Sequence, residues 1–249
     1  MNKLVILRHG ESLWNKENKF TGWMDIDLSK NGVKEAKSAG ELLQSQGFSF
    51  DIAYTSLLLR AKNTLKYCLS KMDVDNINIF EDWRLNERHY GSLQGLNKKE
   101  TVKIHGEKQV LIWRRSYDSP PPKLPKSNDS HPCKNVKYSH IESSSLPSSE
   151  SLKDVINRFL PLWNEKILKD IKNGKKILIV AHGNSLRALY KLINDINAKD
   201  IINFNIPTGI PMIIEFNNQI EPINNFFLGN EKEIQKKIKK VINQGLQKG

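Results

Sequence analysis

The sequence predicts an α/β fold: an open, mostly parallel sheet with helices on both faces. Three observations carry this. Residues 4–7 and 177–180 are unbroken apolar runs, Leu-Val-Ile-Leu and Ile-Leu-Ile-Val, as expected of strands buried on both faces. Stretches with helical spacing of apolar residues separate the strand-like runs, and that alternation implies parallel neighbours joined by crossovers. Both runs lead into the same dipeptide, His9-Gly10 and His182-Gly183, so two strand ends carry the same chemistry.

Residues 4–7 form the first strand. Ser29 caps the next helix, where Val33, Ala36, Gly40 and Leu43 recur at helical spacing until Gly47 stops it. Residues 51–55 read as a second strand, followed by a helix through about Leu69, and residues 77–80 as a third strand. A long helical stretch covers 151–172 and ends at Asn173-Gly174. Pro161 should kink it, because its ring lacks an N–H and crowds the preceding turn. Residues 177–180 are the most strand-like segment, 185–194 the following helix, and 211–216 the last strand. Residues 119–151 hold six prolines and the run Ser143-Ser144-Ser145. That is too long for an ordinary connection, so it reads as a functional covering loop or a mobile one. The expected plan is one α/β domain over 1–230 with an insertion at about 82–151, then a basic mobile tail over 231–249. In that tail Ile234, Ile238, Val241 and Ile242 make one thin helical stripe, and its lysines suit a cover over an anion-filled crevice.

Of the 249 residues, 38% are apolar and 27% charged, a globular balance that excludes collagen-like, coiled-coil and wholly disordered chains. The net charge of +12 favours anionic partners: phosphorylated metabolites, nucleic acid or acidic membranes. Compositional drift in a chain rich in Lys, Asn and Ile is the other source of such a surplus. Nucleic acid is not expected, because aromatic residues are not interleaved with basic ones and no recognition motif appears. No apolar run is long enough to span a bilayer, and no signal peptide is visible. Cys68 and Cys133 form no C-x-x-C pair and read as free thiols. The expectation is a cytoplasmic protein without membrane partners.

Ligands bind an open α/β sheet in the crevice outside its strand ends. Arg8-His9-Gly10-Glu11-Ser12 and His182-Gly183-Asn184-Ser185 both belong there. Glycine admits close backbone approach, and the N–H groups opening a helix at Asn184 suit an anion. A lone histidine at a strand end is more often a satisfied structural group. Two of them beside an arginine form a phosphate constellation instead. A metal site is the alternative, but no H-x-H, H-E-x-x-H or cysteine pair supports it, and P-loop and dinucleotide-binding patterns are missing.

The Arg8-His9-Gly10-Glu11 segment resembles the R-H-G-E motif of the histidine phosphatase superfamily. Further blocks narrow the resemblance to its cofactor-dependent phosphoglycerate mutases. They include Phe20-Thr21-Gly22-Trp23, Tyr54-Thr55-Ser56 with Arg60, Glu87-Arg88-His89-Tyr90-Gly91, Trp113-Arg114-Arg115-Ser116-Tyr117, Glu150-Ser151-Leu152-Lys153-Asp154 and Ile206-Pro207-Thr208-Gly209. The series runs in order from residue 4 to about 216. It implies interconversion of 3- and 2-phosphoglycerate through a phosphohistidine primed by 2,3-bisphosphoglycerate, without metal, on small phosphorylated three-carbon acids. A bisphosphoglycerate mutase/phosphatase on the same scaffold is the alternative, and a homo-oligomer, dimer or tetramer, is expected. On this resemblance His9 is the nucleophile, Arg8 and Arg60 hold the phosphoryl oxygens, and His182 stabilises the transition state as a cation. Glu87 is the general acid–base. Lys98, Arg114 and Arg115 bind the substrate carboxylate and distal phosphate, with Ser12, Asn15, Thr21, Gly22, Arg88, His89, Tyr90, Gly183 and Asn184 completing the binding set. Where the family carries a basic pair before a tyrosine, Lys137-Tyr138 keeps only part of it.

Overall fold

A computed structural model describes residues 2–72, 74 and 76–243. The chain runs β1 (Asn2–Arg8), α1 (Leu13–Lys16), α2 (Lys30–Ser45), β2 (Ile52–Thr55), α3 (Leu59–Leu69), β3 (Asn78–Glu81), α4 (Lys98–His105), α5 (Glu107–Arg115), α6 (Leu152–Leu162), α7 (Leu168–Lys172), β4 (Ile177–Ala181), α8 (Gly183–Ile193), β5 (Pro211–Phe216), β6 (Pro222–Phe227) and α9 (Glu231–Ile242). The strands form one sheet in the order β3-β2-β4-β1-β5-β6. The first four of that order are mutually parallel. β5 runs antiparallel to β1, and β6 antiparallel to β5. The expected open, mostly parallel sheet is therefore what the chain builds, with a reversed edge. The sequence reading did not anticipate β6, whose Pro-Ile-Asn-Asn-Phe-Phe has neither a buried run nor clean alternation.

Successive residues of a strand point to opposite faces, and that sorts the core into two layers. Val5, Leu7, Leu178 and Val180 pack with Ala39 and Leu43 of α2 and Leu65 of α3. Leu4, Ile6, Ile177 and Ile179 pack against Phe159 of α6, Ile171 of α7, and Leu186 and Leu189 of α8. Ser29 caps α2 as expected, its side chain accepting from the Gly32 N–H. The disturbance expected at Pro161 falls just beyond it, as a π-helical turn over Trp163–Ile167 between α6 and α7.

Residues 137–146 pack against the segments that hold Trp23, Asp25 and Asn86. Tyr138 and Leu146 close over Trp23 in a small apolar cluster, and the Tyr138 hydroxyl accepts from Asn86 Nδ2 at 3.0 Å. Lys137 pairs with Asp25 and donates to the Leu57 carbonyl. Residues 231–242, expected as part of a mobile tail, form α9, which rests on the domain. Ile234 is buried, Lys237 pairs with Glu35 at 3.0 Å and Lys240 with Glu11 at 2.8 Å. Burying one isoleucine is worth about 2 kcal/mol. Both carboxylates of the ion pairs are largely buried while the lysines stay partly exposed, so the pairs and the apolar contact hold the helix together. Residues 244–249 of the expected tail lie outside the described residues.

Candidate active site

The register of β1 on β4 sets Arg8 beside Ala181, so His9 and His182 leave neighbouring strand ends together. The His9 N–H donates to the Ala181 carbonyl at 3.0 Å, and the two rings lie 4.9 Å apart, tilted by 59°. Gly10 allows the turn: a Cβ there would meet the Gly32 carbonyl oxygen at 2.3 Å. Gly183 gives room to Arg8, whose guanidinium carbon would lie 3.3 Å from an added Cβ. His9 Nδ1 lies 2.7 Å from the Gly10 carbonyl oxygen. A carbonyl only accepts, so Nδ1 carries the proton and Nε2 keeps its lone pair. Burial first, then the charges of Arg60 and Arg8, hold His9 well below the usual imidazole range, so it is neutral.

His182 Nε2 lies 2.7 Å from Ser56 Oγ. Burial and the Arg60, His9 and Arg8 charges push its pKa well down too. Without a bound anion the protein's own groups thus favour neutral His182. An imidazolium there requires the negative charge of a phosphoryl group beside it.

Arg8 Nη1 donates to the Ile206 carbonyl at 2.7 Å. Arg60 holds the Met24 and Gly22 carbonyls at 2.9 and 2.7 Å, and burial brings its pKa down to about 10. Glu87 Oε1 accepts the backbone N–H groups of Arg88 at 2.7 Å and Asn184 at 3.1 Å, while the Glu87 carbonyl accepts from Trp23 Nε1 at 2.6 Å. Burial pushes Lys98 well below the ammonium range, with Arg114, Arg8 and Arg115 adding to it, and lowers Arg115 to about 9. So many mutually repelling buried cations make a strong anion site.

One cleft is lined by Arg8, His9, Arg60, Glu87, Lys98, Arg114 and Arg115, together with Asn15, Thr21, Gly22, Tyr90, Gly183 and Asn184. His182 backs onto His9. Three residues expected to bind substrate do not line it. Ser12 is fully buried and caps α1, accepting from the Asn15 N–H at 3.1 Å. The Arg88 guanidinium lies 4.7 Å from the Tyr90 ring centre and donates to the Arg114 carbonyl at 2.7 Å. His89 faces Trp23 and His131, and its Nδ1 accepts from the Gly91 N–H at 3.0 Å. All three belong to the frame behind the cleft. The cleft is also lined by Val241 of α9 and by Lys19, Arg187 and Asn205, which the sequence does not single out. The position of Arg187, three residues after Asn184 in α8, could have disclosed it, since helix neighbours at that spacing share a face.

Burial and the neighbouring His131 and Arg158 bring the His89 pKa down to about 3. In the unfolded chain it titrates near 6.5, so between those values the unfolded state binds one more proton. Stability is therefore lost as pH falls below about 6.5, at about 1.4 kcal/mol per pH unit for this group. Urea unfolding at pH 6.5 and 5 should show a loss to which His89 contributes about 2 kcal/mol. His89→Gln should flatten the slope by about one proton; an unchanged slope contradicts the assignment.

The profile of the Histidine phosphatase superfamily (branch 1) matches residues 4–132 and 127–225. The chain belongs to that superfamily. Within it, two curated proteins of Borreliella burgdorferi, from strains ZS7 and B31, are each named 2,3-bisphosphoglycerate-dependent phosphoglycerate mutase. Each is 51% identical to this chain over 245 residues, covering 98% of it and 99% of the relative. The resemblance seen in the motifs is thus borne out. Among solved structures, one titled mycobacterial hydrolase 1 superposes with a TM-score of 0.70 at 21% identity, covering 92% of this chain and 98% of its own. A mycobacterial glucosyl-3-phosphoglycerate phosphatase complexed with VO3 does so at 0.67 and 21%, covering 91% and 97%. At that identity these two speak for the fold alone. Among the described residues no helix is long and apolar enough to cross a membrane, and no group of three His, Cys, Asp or Glu side chains is placed to hold a metal ion.

Proposed function

We propose that the chain interconverts 3-phosphoglycerate and 2-phosphoglycerate through a phosphohistidine at His9. One observation carries this reading: a single cleft holds His9, backed by His182, with Arg8 and Arg60, a carboxylate, and a further cation set. A phosphatase acting on one phosphoryl group has no need of the Lys98, Arg114 and Arg115 set. The carboxylate of Glu87 interacts electrostatically with Arg8, Arg60 and Lys98, so it serves both groups.

When bound, 2,3-bisphosphoglycerate supplies the phosphoryl group that charges His9. The residues present suit such an anion: Arg8 Nε is buried with no hydrogen-bond partner among the described residues. His9 Nε2 forms the bond to phosphorus while Arg8 and Arg60 hold the phosphoryl oxygens. As the ester P–O bond breaks, Glu87 gives its proton to the leaving hydroxyl oxygen. In the return step Glu87 takes the proton of the substrate's free hydroxyl, that oxygen bonds to phosphorus, and the N–P bond breaks. Positioning and charge stabilisation carry most of such a transfer.

The test is turnover of 3-phosphoglycerate with and without added 2,3-bisphosphoglycerate, each in EDTA. Turnover should be primed by the bisphosphate and indifferent to the chelator, and vanadate should inhibit it. Activity lost to EDTA and restored by Mn²⁺ would overturn the reading. The protein is further proposed to work in the cytoplasm, as a homo-oligomer.

The C-terminal helix is proposed to act as a cover. Val241 reaches the cleft wall, and Lys240 pairs with Glu11, two residues from His9. Deleting residues from 231 onward should leave the protein folded, lower mutase turnover and speed loss of the phosphoryl group from His9 to water. High salt should erase only part of the difference, because it screens the ion pairs and leaves the burial of Ile234 intact. Unchanged turnover and phosphoenzyme lifetime would show a purely structural end.

A further inference from the structure

Arg187 takes no part in the steps above, yet it is one of the most deeply buried charges of the cleft, at 3% exposure. Its described hydrogen bonds go to no carboxylate. Nη1 donates to Asn184 Oδ1 at 2.9 Å, and Nη2 to the Ile201 carbonyl at 2.6 Å. We propose that Arg187 is a positioning residue that fixes the Asn184 amide and thereby makes the Tyr90 hydroxyl a hydrogen-bond donor to the ligand in the cleft. The inference rests on the mutase reading for the identity of that ligand, a phosphoglycerate.

A guanidinium has donors and no acceptor, so Asn184 must turn its Oδ1 toward Arg187. Its Nδ2 then faces the Tyr90 hydroxyl oxygen at 3.1 Å and donates to it. A phenol oxygen that accepts from Asn184 directs its own proton elsewhere, and Tyr90 lines the cleft. The Arg88 guanidinium against the Tyr90 ring adds positive charge on the same side. The backbone N–H of Asn184 meanwhile holds Glu87 Oε1, so one residue carries both the donor's polarity and the carboxylate's position. Without the fork of Arg187 the amide is free to turn round. Tyr90 would then donate to Asn184 and present a lone pair to an anion. Lysine keeps the charge but cannot grip Asn184 and Ile201 together in one rigid fork.

The experiment is a double-mutant cycle. Arg187→Lys should raise KM for 3-phosphoglycerate about tenfold, with kcat changed less than about threefold. In a Tyr90→Phe background the same substitution should change KM by less than about twofold, because the group it acts through is gone. Losses that simply add would overturn the proposal and make Arg187 a direct ligand or a structural prop. Asn184→Ala, which leaves Arg187 in place, serves if Arg187→Lys does not fold; it too must be coupled to Tyr90→Phe, and additivity overturns the proposal. A readout without substrate keeps the two readings apart. The Tyr90 phenol, obtained by ultraviolet titration as the difference from Tyr90→Phe, should titrate at higher pH in Arg187→Lys, where the amide donor to the phenolate is no longer held in place and the positive charge is kept. An unmoved phenol overturns the proposal even if the parent shows no mutase turnover.

Discussion

Replacing His9 with alanine is expected to abolish both mutase turnover and the phosphoenzyme, a loss of roughly 10⁴-fold or more in kcat. The expectation rests on geometry. The Nδ1 proton is spent on the Gly10 carbonyl, which leaves Nε2 as a lone pair beside Arg8, Arg60 and His182. The fold should survive, because the strands holding position 9 are paired through Arg8 and Ala181 backbone and not through the imidazole. A pH profile gives a second check. The charged form of His9 is suppressed by burial and two guanidiniums, so protonation of the nucleophile cannot set in near pH 6.5. The rate of phosphoenzyme formation should therefore hold as pH falls through 6.5, where an exposed histidine would already lose half of its neutral form. The parent phosphoenzyme should be labile to acid and stable to alkali, as phosphoramidates are. Turnover in His9→Ala close to that of the parent would remove His9 from the mechanism.

Much of this site was legible in the sequence because its chemistry sits at strand ends. Residues 4–7 and 177–180 are buried on both faces, so their apolar runs announce themselves, and the His-Gly steps that follow fall at fixed places in the fold. What the sequence concealed depends on side-chain direction and on contacts between distant segments. Arg88 and His89 flank cleft residues in sequence, but one turns behind Tyr90 and the other toward Trp23. No spacing rule distinguishes a side chain facing a ligand from one facing its frame. The lowered pKa of ligand-free His182 is invisible in the sequence for a similar reason, since it follows from burial and from neighbours brought in from elsewhere in the chain. The helix at 231–242 looked thinly apolar, and a single stripe does not say that Ile234 finds a buried seat. β6 escaped because an edge strand is held by its backbone ladder to β5, which leaves its side chains free to be polar.

Glu87→Gln isolates proton transfer from everything else Glu87 does. In the parent, Oε1 accepts two backbone N–H groups, from Arg88 and Asn184. A glutamine carbonyl oxygen accepts both in the same way, so the side chain keeps its place and Asn184 keeps its contact. The backbone carbonyl of residue 87, which accepts from Trp23 Nε1, is untouched by the substitution. What is lost is the capacity to give a proton to one hydroxyl oxygen and take one from the other. General acid–base catalysis contributes roughly 10² to 10⁴ to a chemical step, and kcat should fall by that amount. KM should move much less, because the cations of the cleft remain and the charge removed is negative. Both directions of the reaction should suffer alike, since the same carboxylate serves as acid in one half-reaction and base in the other. Single-turnover measurement of phosphoryl transfer to and from His9 reads the two halves separately. A variant with unchanged kcat and only a raised KM would make Glu87 a binding group and leave the proton relay to some other residue of the cleft.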